Sequence, residues 1–177
     1  MRNDVQEVLK KYEVKTFGNK KQMKNVQERL KDDETVLYIA PTSAIIKEGR
    51  KKSKLPGIFV FTTKRFFFYY KVLLEELFDS VTLDKVQSIN CSGNSMTGGH
   101  IEICTLVKSY DFLVTYKKPL MFAMKESFDE AIANVNTPAP AVAAVSAADE
   151  LIKFKSLLDS GVITQEEFDA KKKQLLA

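Results

Sequence analysis

The side chains best suited to metal binding or nucleophilic chemistry are few: one histidine, His100, and two cysteines, Cys91 and Cys104. A structural zinc site usually needs four Cys or His ligands, and these three residues contain no CxxC pair. A Ser/His/Asp system would have to be assembled around the single histidine. The sequence therefore predicts no metal centre, no cofactor and no catalytic site.

Two acidic pairs, Glu75-Glu76 and Glu166-Glu167, could in principle act as a general acid and base. They fall in a predicted turn and in the first turn of a predicted helix, where solvation and the helix dipole explain them. The segment 94–100, NSMTGGH, contains two glycines but lacks the GK[ST] spacing and the following helix of a phosphate-binding loop. It predicts a hairpin turn, and we expect no enzymatic activity.

A cluster of basic residues follows the first predicted strand, with only Glu48 opposing it. Such a cluster predicts binding of an anionic ligand, a membrane surface or a polynucleotide. The alternative is a solvated loop whose lysines keep the edge of a sheet soluble. The predicted anion-binding residues are Lys47, Arg50, Lys51, Lys52 and Lys54, together with Lys64 and Arg65 in the next turn.

Five consecutive aromatic residues, Phe66 to Tyr70, lie next to these cations. Exposed rings there would provide a stacking platform for nucleic-acid bases. Because consecutive residues of a strand face opposite sides, the more ordinary interpretation places about half of the rings in the core and the others against a helix or an interface.

The composition is that of a globular protein, with 45% hydrophobic and 28% charged residues and a net charge of only +4. No apolar run reaches the 18 residues of a membrane span, and the first 30 residues carry charges throughout, unlike a secretory leader. These features predict a cytoplasmic protein with reduced cysteines, with association at the membrane periphery as an alternative. The charge alone gives nucleic-acid binding little support.

The elements that must position these residues can be predicted from hydrophobic periodicity. Apolar residues at helical spacing predict two short helices in the first 34 residues, and a helix beginning at Pro119 carries an apolar stripe from Met121 to Val135. Between them, β-branched and aromatic segments alternate with turns. The predicted strands are 35–46, 58–63, 65–71, 77–83, 86–92, 100–106 and 109–116.

Three segments resemble the bacterial pleckstrin-homology (PH) family. Residues 57–69, GIFVFTTKRFFFY, resemble that family's second hairpin, and residues 81–89, VTLDKVQSI, resemble its xPLxKIxxI step, with Thr82 in place of the proline. The lead-in 12–30 is similar as well, so the resemblance covers about 12–135. It implies a seven-stranded antiparallel β-barrel capped by a C-terminal helix, but it implies little about the ligand.

The tail is separated from this region by the Ala/Pro-rich linker 136–148. Residues 149–177 resemble the short C-terminal domain, SHOCT, which is a two-helix hairpin. Gly161 ends the first helix, and a capping box of Thr164 and Glu167 begins the second at Gln165. The residues predicted to pack the tail or to drive oligomerisation are Leu151, Phe154, Leu158, Phe168 and Leu175.

Together these patterns predict an α+β protein with four parts: a helical lead-in (1–34), a PH-like domain (35–135), the linker (136–148) and the SHOCT hairpin (149–177). We expect a non-catalytic module for protein–protein contact and oligomerisation, in which the tail hairpin docks either on a copy of itself or on a neighbouring barrel. Membrane-surface or anionic-ligand binding through the basic cluster is the alternative. Nucleic-acid binding is a remote alternative, and the sequence identifies no small-molecule substrate.

Overall fold

The computed structural model describes residues 1–136, 155, 158 and 164–176. The chain divides into two compact units, Met1–Asn136 and Thr137–Ala177. The first unit begins with helices α1 (Asn3–Lys11) and α2 (Lys20–Gln27). Their apolar stripes are buried as predicted, at Val5 and Val8 in α1 and at Met23 and Val26 in α2.

Seven strands follow the two helices, in agreement with the predicted number. They are β1 (Val36–Glu48), β2 (Lys51–Thr62), β3 (Arg65–Val72), β4 (Glu75–Thr82), β5 (Val86–Asn94), β6 (Gly98–Thr105) and β7 (Lys108–Val114). They form one antiparallel sheet in the order β4-β3-β2-β1-β7-β6-β5.

The sheet is open at its two edges, β4 and β5, so the predicted barrel is not closed by backbone hydrogen bonds. A 3-10 turn, Leu83–Lys85, redirects the chain between these strands. Side-chain contacts link the β4 edge to β7 instead: Asp79 of β4 accepts hydrogen bonds from Lys108 Nζ at 2.9 Å and from the Tyr110 hydroxyl at 3.0 Å.

The sequence predicts a loop between the first two strands, and this prediction is wrong. Glu48 pairs with Lys51, so that only Gly49 and Arg50 form the turn, and Gly49 has the left-handed φ of +56° that glycine adopts without steric cost. The lysine-rich segment shows no apolar alternation. It is nevertheless a strand, because backbone hydrogen bonds to β1 form the ladder without burial of its side chains.

The centre of the fold is the β2–β3 hairpin, which is apolar on both faces. Phe59, Phe61, Phe66 and Phe68 share one face by register and pack in the core. The opposite face carries the rings of Phe67 and Tyr69, and all of these rings have no exposed surface. Helix α2 packs against β2 and β3.

The helix after the strands is α3 (Lys118–Asn136), close to the predicted start at Pro119. It buries Met121, Met124, Phe128 and Ala131, and the Phe128 ring stacks on Phe61 with 4.0 Å between ring centroids. Val135, which the sequence places on the buried stripe, is 38% exposed. Burial therefore stops short of the last helical turn.

The second unit contains helix α4 (Gln165–Leu176), which begins at the predicted residue. The predicted capping box is present: the Thr164 N–H donates to Glu167 Oε2 at 2.9 Å, and the Glu167 N–H donates to Thr164 Oγ1 at 3.3 Å. Lys155 and Leu158 are helical, as predicted for the first tail helix. The linker from residue 137 onward and Gly161 lie outside the described residues.

Gly57 provides a test of how closely β2 packs on β3. A Cβ atom at this position would lie 2.4 Å from the carbonyl oxygen of Tyr69 and 2.5 Å from the Phe68 ring. We expect Gly57→Ala to lower the free energy of unfolding by about 2 to 3 kcal/mol, measured by urea denaturation, because the hairpin must shift. Gly49→Ala is the control, since its Cβ would meet nothing within 4 Å and only φ is strained. We expect it to cost about 1 kcal/mol, and equal losses would contradict this packing.

Candidate functional site

The end of the β1–β2 hairpin carries a group of exposed cations. The register pairs Lys47 with Lys52 and Ile45 with Lys54, so these three lysines project from one face, while Lys51 pairs with Glu48 on the other. Arg50 lies in the turn itself. The basic tip consists of Lys47, Arg50, Lys51, Lys52 and Lys54, all of which are exposed.

The electrostatics of the basic tip favour an external anion. Lys47 and Lys52 are direct cross-strand neighbours, whose Cβ atoms in such pairs are about 5 Å apart, and like charges at this distance destabilise a hairpin. Within the described part of the chain, none of the five cations forms an ion pair. The nearby Glu48 is instead 3.9 Å from Lys108. A bound phosphate or carboxylate would relieve the repulsion.

The same lysines also have a structural explanation. Only Ile58–Phe61 of β2 pairs with β3, so the segment from Lys51 to Pro56 has one unpaired edge. Lysine and proline on an unpaired edge prevent the addition of a further strand. An unpaired strand edge therefore explains these lysines without a bound anion.

Lys64 and Arg65 do not join the basic tip. The ten residues from Lys54 to Lys64 span up to about 33 Å of strand, at about 3.3 Å per residue. Lys64 pairs with Asp33, and Arg65 forms a two-pronged ion pair with Glu34, with Nε–Oε2 at 2.9 Å and Nη2–Oε1 at 2.7 Å. These two cations are therefore engaged within the fold.

Glu34 is the centre of a buried polar network, and its side chain has no exposed surface. Burial by itself would raise the pKa of Glu34. Hydrogen bonds from Arg65, the Lys31 N–H and the Thr62 hydroxyl outweigh burial, so the pKa lies below its usual value and the group is ionised. Arg65 also donates to the carbonyl oxygen of Arg29 at 2.7 Å. The network therefore ties the end of the lead-in to the β2–β3 turn.

Four of the five rings of the aromatic run, Phe66 to Tyr69, cannot stack nucleic-acid bases because they are fully buried, and only Tyr70 is partly exposed. Two arginines cover the outer face of the run: the Arg65 guanidinium lies 5.1 Å from the centroid of Phe67, and that of Arg29 lies 4.5 Å from Tyr69. Arg29 is not among the residues predicted from the sequence. The available signal was its position in the lead-in, just after the amphipathic helix α2, which packs on the hairpin that is apolar on both faces.

The cysteines and the histidine are not brought together into a metal site. Cys91 pairs with the buried Ile101, whereas Cys104 lies on the opposite face of the sheet, which it shares with His100. His100 Nδ1 lies 2.8 Å from Asp111 Oδ1. Burial raises the pKa of Cys91 to about 11, so this thiol is protonated at neutral pH. No cluster of three or more potential ligands occurs among the described residues.

The predicted packing residues of the tail are only partly described. Leu158 and Phe168 are half-buried in helical segments. Leu151, Phe154 and the side chain of Leu175 lie outside the described residues, so the common stripe remains a prediction.

A cleft that the sequence analysis did not predict lies at the opening of the sheet. It has a volume of about 520 Å³. Its walls are the edge of β4 at residues 79–81, the start of β5 and the turn between β6 and β7. Leu106 and Val107 in that turn are 85% and 67% exposed. The open strand edge and the apolar turn make this cleft a second accessible surface, in addition to the basic tip.

No helix within the described ranges is long and apolar enough to span a bilayer.

Comparisons with known proteins place both parts of the chain. The bacterial PH domain family matches residues 30–118, and the SHOCT family, a short C-terminal domain, matches residues 149–176. No curated protein matches the chain.

Among solved structures, the Vps36 N-terminal PH domain is 15% identical, with a TM-score of 0.46, covering 62% of this chain and 86% of that one. A structure of the Vav1 exchange factor with PH and C1 domains is 11% identical, with a TM-score of 0.45, covering 76% of this chain and 37% of that one. The N-terminal PH domain of human ARAP2 is 10% identical, with a TM-score of 0.38, covering 58% and 86%.

The Glu34–Arg65 pair generates a pH-dependent prediction. The pKa of Glu34 in the folded chain lies below the ordinary 4.5, so its ionised form stabilises the fold above pH 4.5, and this stabilisation is lost as the pH falls through the lowered value. We expect Glu34→Gln to lower the free energy of unfolding by roughly 3 kcal/mol at pH 7, because Arg65 loses its buried partner. Urea titrations should show that the difference in free energy of unfolding between the parent and Glu34→Gln becomes smaller below pH 4.5.

The matched control is Lys64→Ala, which removes an exposed ion pair from the same turn and should leave stability nearly unchanged. A Glu34→Gln deficit that stays constant between pH 7 and pH 3 would contradict the proposed ionisation.

Proposed function

This chain belongs to the bacterial PH domain family, and we propose that it is a non-catalytic cytoplasmic binding module that assembles with further copies of itself through its SHOCT tail. It carries a PH domain and a SHOCT domain, a combination consistent with a non-catalytic module. The observation that carries the proposal is the tail itself, a capped helix α4 with the aromatic side chain of Phe168 half-buried.

The physical argument concerns the size of the tail. A unit of about 30 residues buries too little apolar surface to be stable alone, and small domains of this kind need a disulfide, a metal or a partner. The segment 149–176 contains no cysteine or histidine. Its apolar residues therefore require a protein surface, and a second tail provides one with the same apolar stripe.

Phe168→Asp tests this contact. A charge at a half-buried aromatic position of α4 would be desolvated in the assembled state, so we expect a lower assembly state with the PH domain still folded. Light scattering on the full chain would measure the mass, and limited proteolysis would report release of the tail.

The matched control is Ala170→Asp, which introduces the same charge at an exposed position of the same helix. We expect it to retain the parental mass. Unchanged mass together with an uncut tail in the Phe168→Asp protein would contradict the proposal.

A second candidate function, binding of an anionic membrane surface or ligand, is favoured by one observation: the five exposed cations of the basic tip form no ion pair within the described residues. Nucleic-acid binding rests on the same charge alone, because the neighbouring rings are buried. A gel shift with unrelated nucleic acids would separate it from membrane binding.

The anion-binding candidate predicts the effect of replacing Arg50, Lys51 and Lys52 together with alanine. Each cation near an anionic surface contributes about 1 kcal/mol, so the triple variant should bind vesicles containing phosphatidylserine about two orders of magnitude more weakly. Vesicle sedimentation at low and high salt would measure the change.

A matched control replaces Lys20, Lys21 and Lys24 of α2 with alanine, which removes the same charge at a different place. If both triple variants weaken equally, net charge and not the basic tip determines binding. Absence of vesicle binding by the parent chain would eliminate this candidate.

A further inference from the structure

The outer edge of β4 is an unused hydrogen-bonding surface. The Leu83 N–H donates to the Lys64 carbonyl oxygen at 3.0 Å, and the β3–β4 register continues from this pair. Because hydrogen-bonded and non-hydrogen-bonded pairs alternate in antiparallel strands, Val81, Asp79 and Leu77 bond to β3. The backbone groups that point away from β3 belong to Glu76, Phe78, Ser80 and Thr82. Within the described part of the chain, no second strand lies beside β4.

Apolar side chains are exposed along this edge and in the adjoining turn. Phe78 is 40% exposed, and Leu73 and Leu74 in the adjoining turn are 93% and 102% exposed. Leu73 also has a φ of +53°, a conformation that is costly for a bulky residue. The turn therefore presents two leucines to solvent despite backbone strain.

The unpaired segment of β2 and the open edge of β4 differ in composition. The unpaired segment of β2 carries lysines and Pro56, whereas β4, with the sequence EELFDSVT, contains neither lysine nor proline. Two of its three acidic residues form ion pairs within the chain: Glu76 pairs with Arg29 and Lys71, and Asp79 pairs with Lys108. The β4 edge thus lacks the lysines and proline that protect the β2 edge against strand addition, and its only charged residues are acidic.

We propose that β4 pairs antiparallel with β4 of a second copy of the chain, about a twofold axis at Phe78. This inference deepens the proposed function, on which it rests for the class of partner. In this register Phe78 lies opposite the partner's Phe78, and Glu76 lies opposite the partner's Ser80. The other opposed pairs are Leu74 with Thr82, Glu75 with Val81, and Leu77 with Asp79.

Charge selects this register among its neighbours. The outward-pointing residues of the two copies still oppose one another when the twofold axis is moved along β4 in steps of one residue. An axis at Asp79 opposes two copies of that carboxylate, and an axis at Ser80 opposes Glu76 to Asp84. An axis at Leu77 opposes Glu75 to Asp79, and an axis at Glu76 opposes two glutamates. Like charges directly opposed destabilise strand pairing, so of these five axes only the one at Phe78 opposes no two acidic residues.

The pairing would involve the unpaired backbone groups and the exposed apolar side chains of β4 and its adjoining turn. The central residues Glu76, Phe78 and Ser80 would exchange about six backbone hydrogen bonds with the partner. The two Phe78 rings would meet at the axis, and Leu74 would be covered by the partner's strand. The interface is isologous, so it closes at two copies.

Ser80→Pro tests the pairing in the full chain. The substitution removes an N–H that points away from β3, and proline is tolerated at such positions of edge strands, so the β3–β4 ladder is retained. Sedimentation equilibrium should show a dimer dissociation constant at least about tenfold higher. Ser80→Ala keeps the backbone N–H and should behave as the parent.

If Ser80→Pro fails to fold by circular dichroism, Phe78→Lys replaces it. This variant places two like charges at the twofold axis while its backbone remains able to pair, and the same increase in dissociation constant is expected. An unchanged dissociation constant in a folded Ser80→Pro or Phe78→Lys protein would overturn the proposal.

Repeating the measurement with Phe168→Asp distinguishes the β4 contact from the tail contact. The proposal predicts that the Phe168→Asp chain still forms a dimer and that adding Ser80→Pro converts it to a monomer. A monomeric Phe168→Asp chain would overturn the β4 contact and leave the tail contact standing. A dimer that only Ser80→Pro dissociates, with no effect of Phe168→Asp, would support the β4 contact and contradict the tail.

Discussion

The constraint on which this structure depends is that the β2–β3 hairpin is apolar on both faces. One face contributes Phe59 and Phe66 to the core between sheet and helix α3. The other face carries Phe67 and Tyr69, which would meet water in a bare sheet. Helix α2 and two arginine side chains cover it, and the buried Glu34–Arg65 pair joins the lead-in to the hairpin. The lead-in is therefore part of the folded domain.

Once both faces of the hairpin are covered, the strand edges and turns become the accessible surfaces. The β2 edge is protected by lysines, and its basic tip is suited to anions or to solvent. The β4 edge carries no lysine or proline and is flanked by exposed leucines and by the cleft at the opening of the sheet. The rings that lie nearest the cations in sequence contribute to neither surface. Strand edges and turns are thus the surfaces that a partner could reach, which is consistent with a binding module.

Much of the fold could be predicted from periodicity and turn chemistry. Val5, Met23 and Phe128 are buried as their helical spacing predicts, and the capping box of Thr164 sets the start of α4. The basic cluster was misassigned as a loop because strand pairing of a polar segment leaves no hydrophobic pattern. The role of Arg65 could not be predicted, since its partner Glu34 is 31 residues away in sequence. The open β4 edge could not be predicted either, because it depends on the pairing of all seven strands and not on the sequence of β4 alone.

The central claim, that this chain associates with itself through surfaces other than the basic tip, is tested most directly by amide hydrogen exchange at increasing concentrations of the full chain. Exchange reports local opening and occlusion of individual backbone groups. The account predicts that protection at the Phe78 and Ser80 amides and along α4 rises with concentration, while Arg50 to Lys52 exchange at a constant rate. Concentration-independent exchange throughout the chain, or new protection confined to the basic tip, would contradict it.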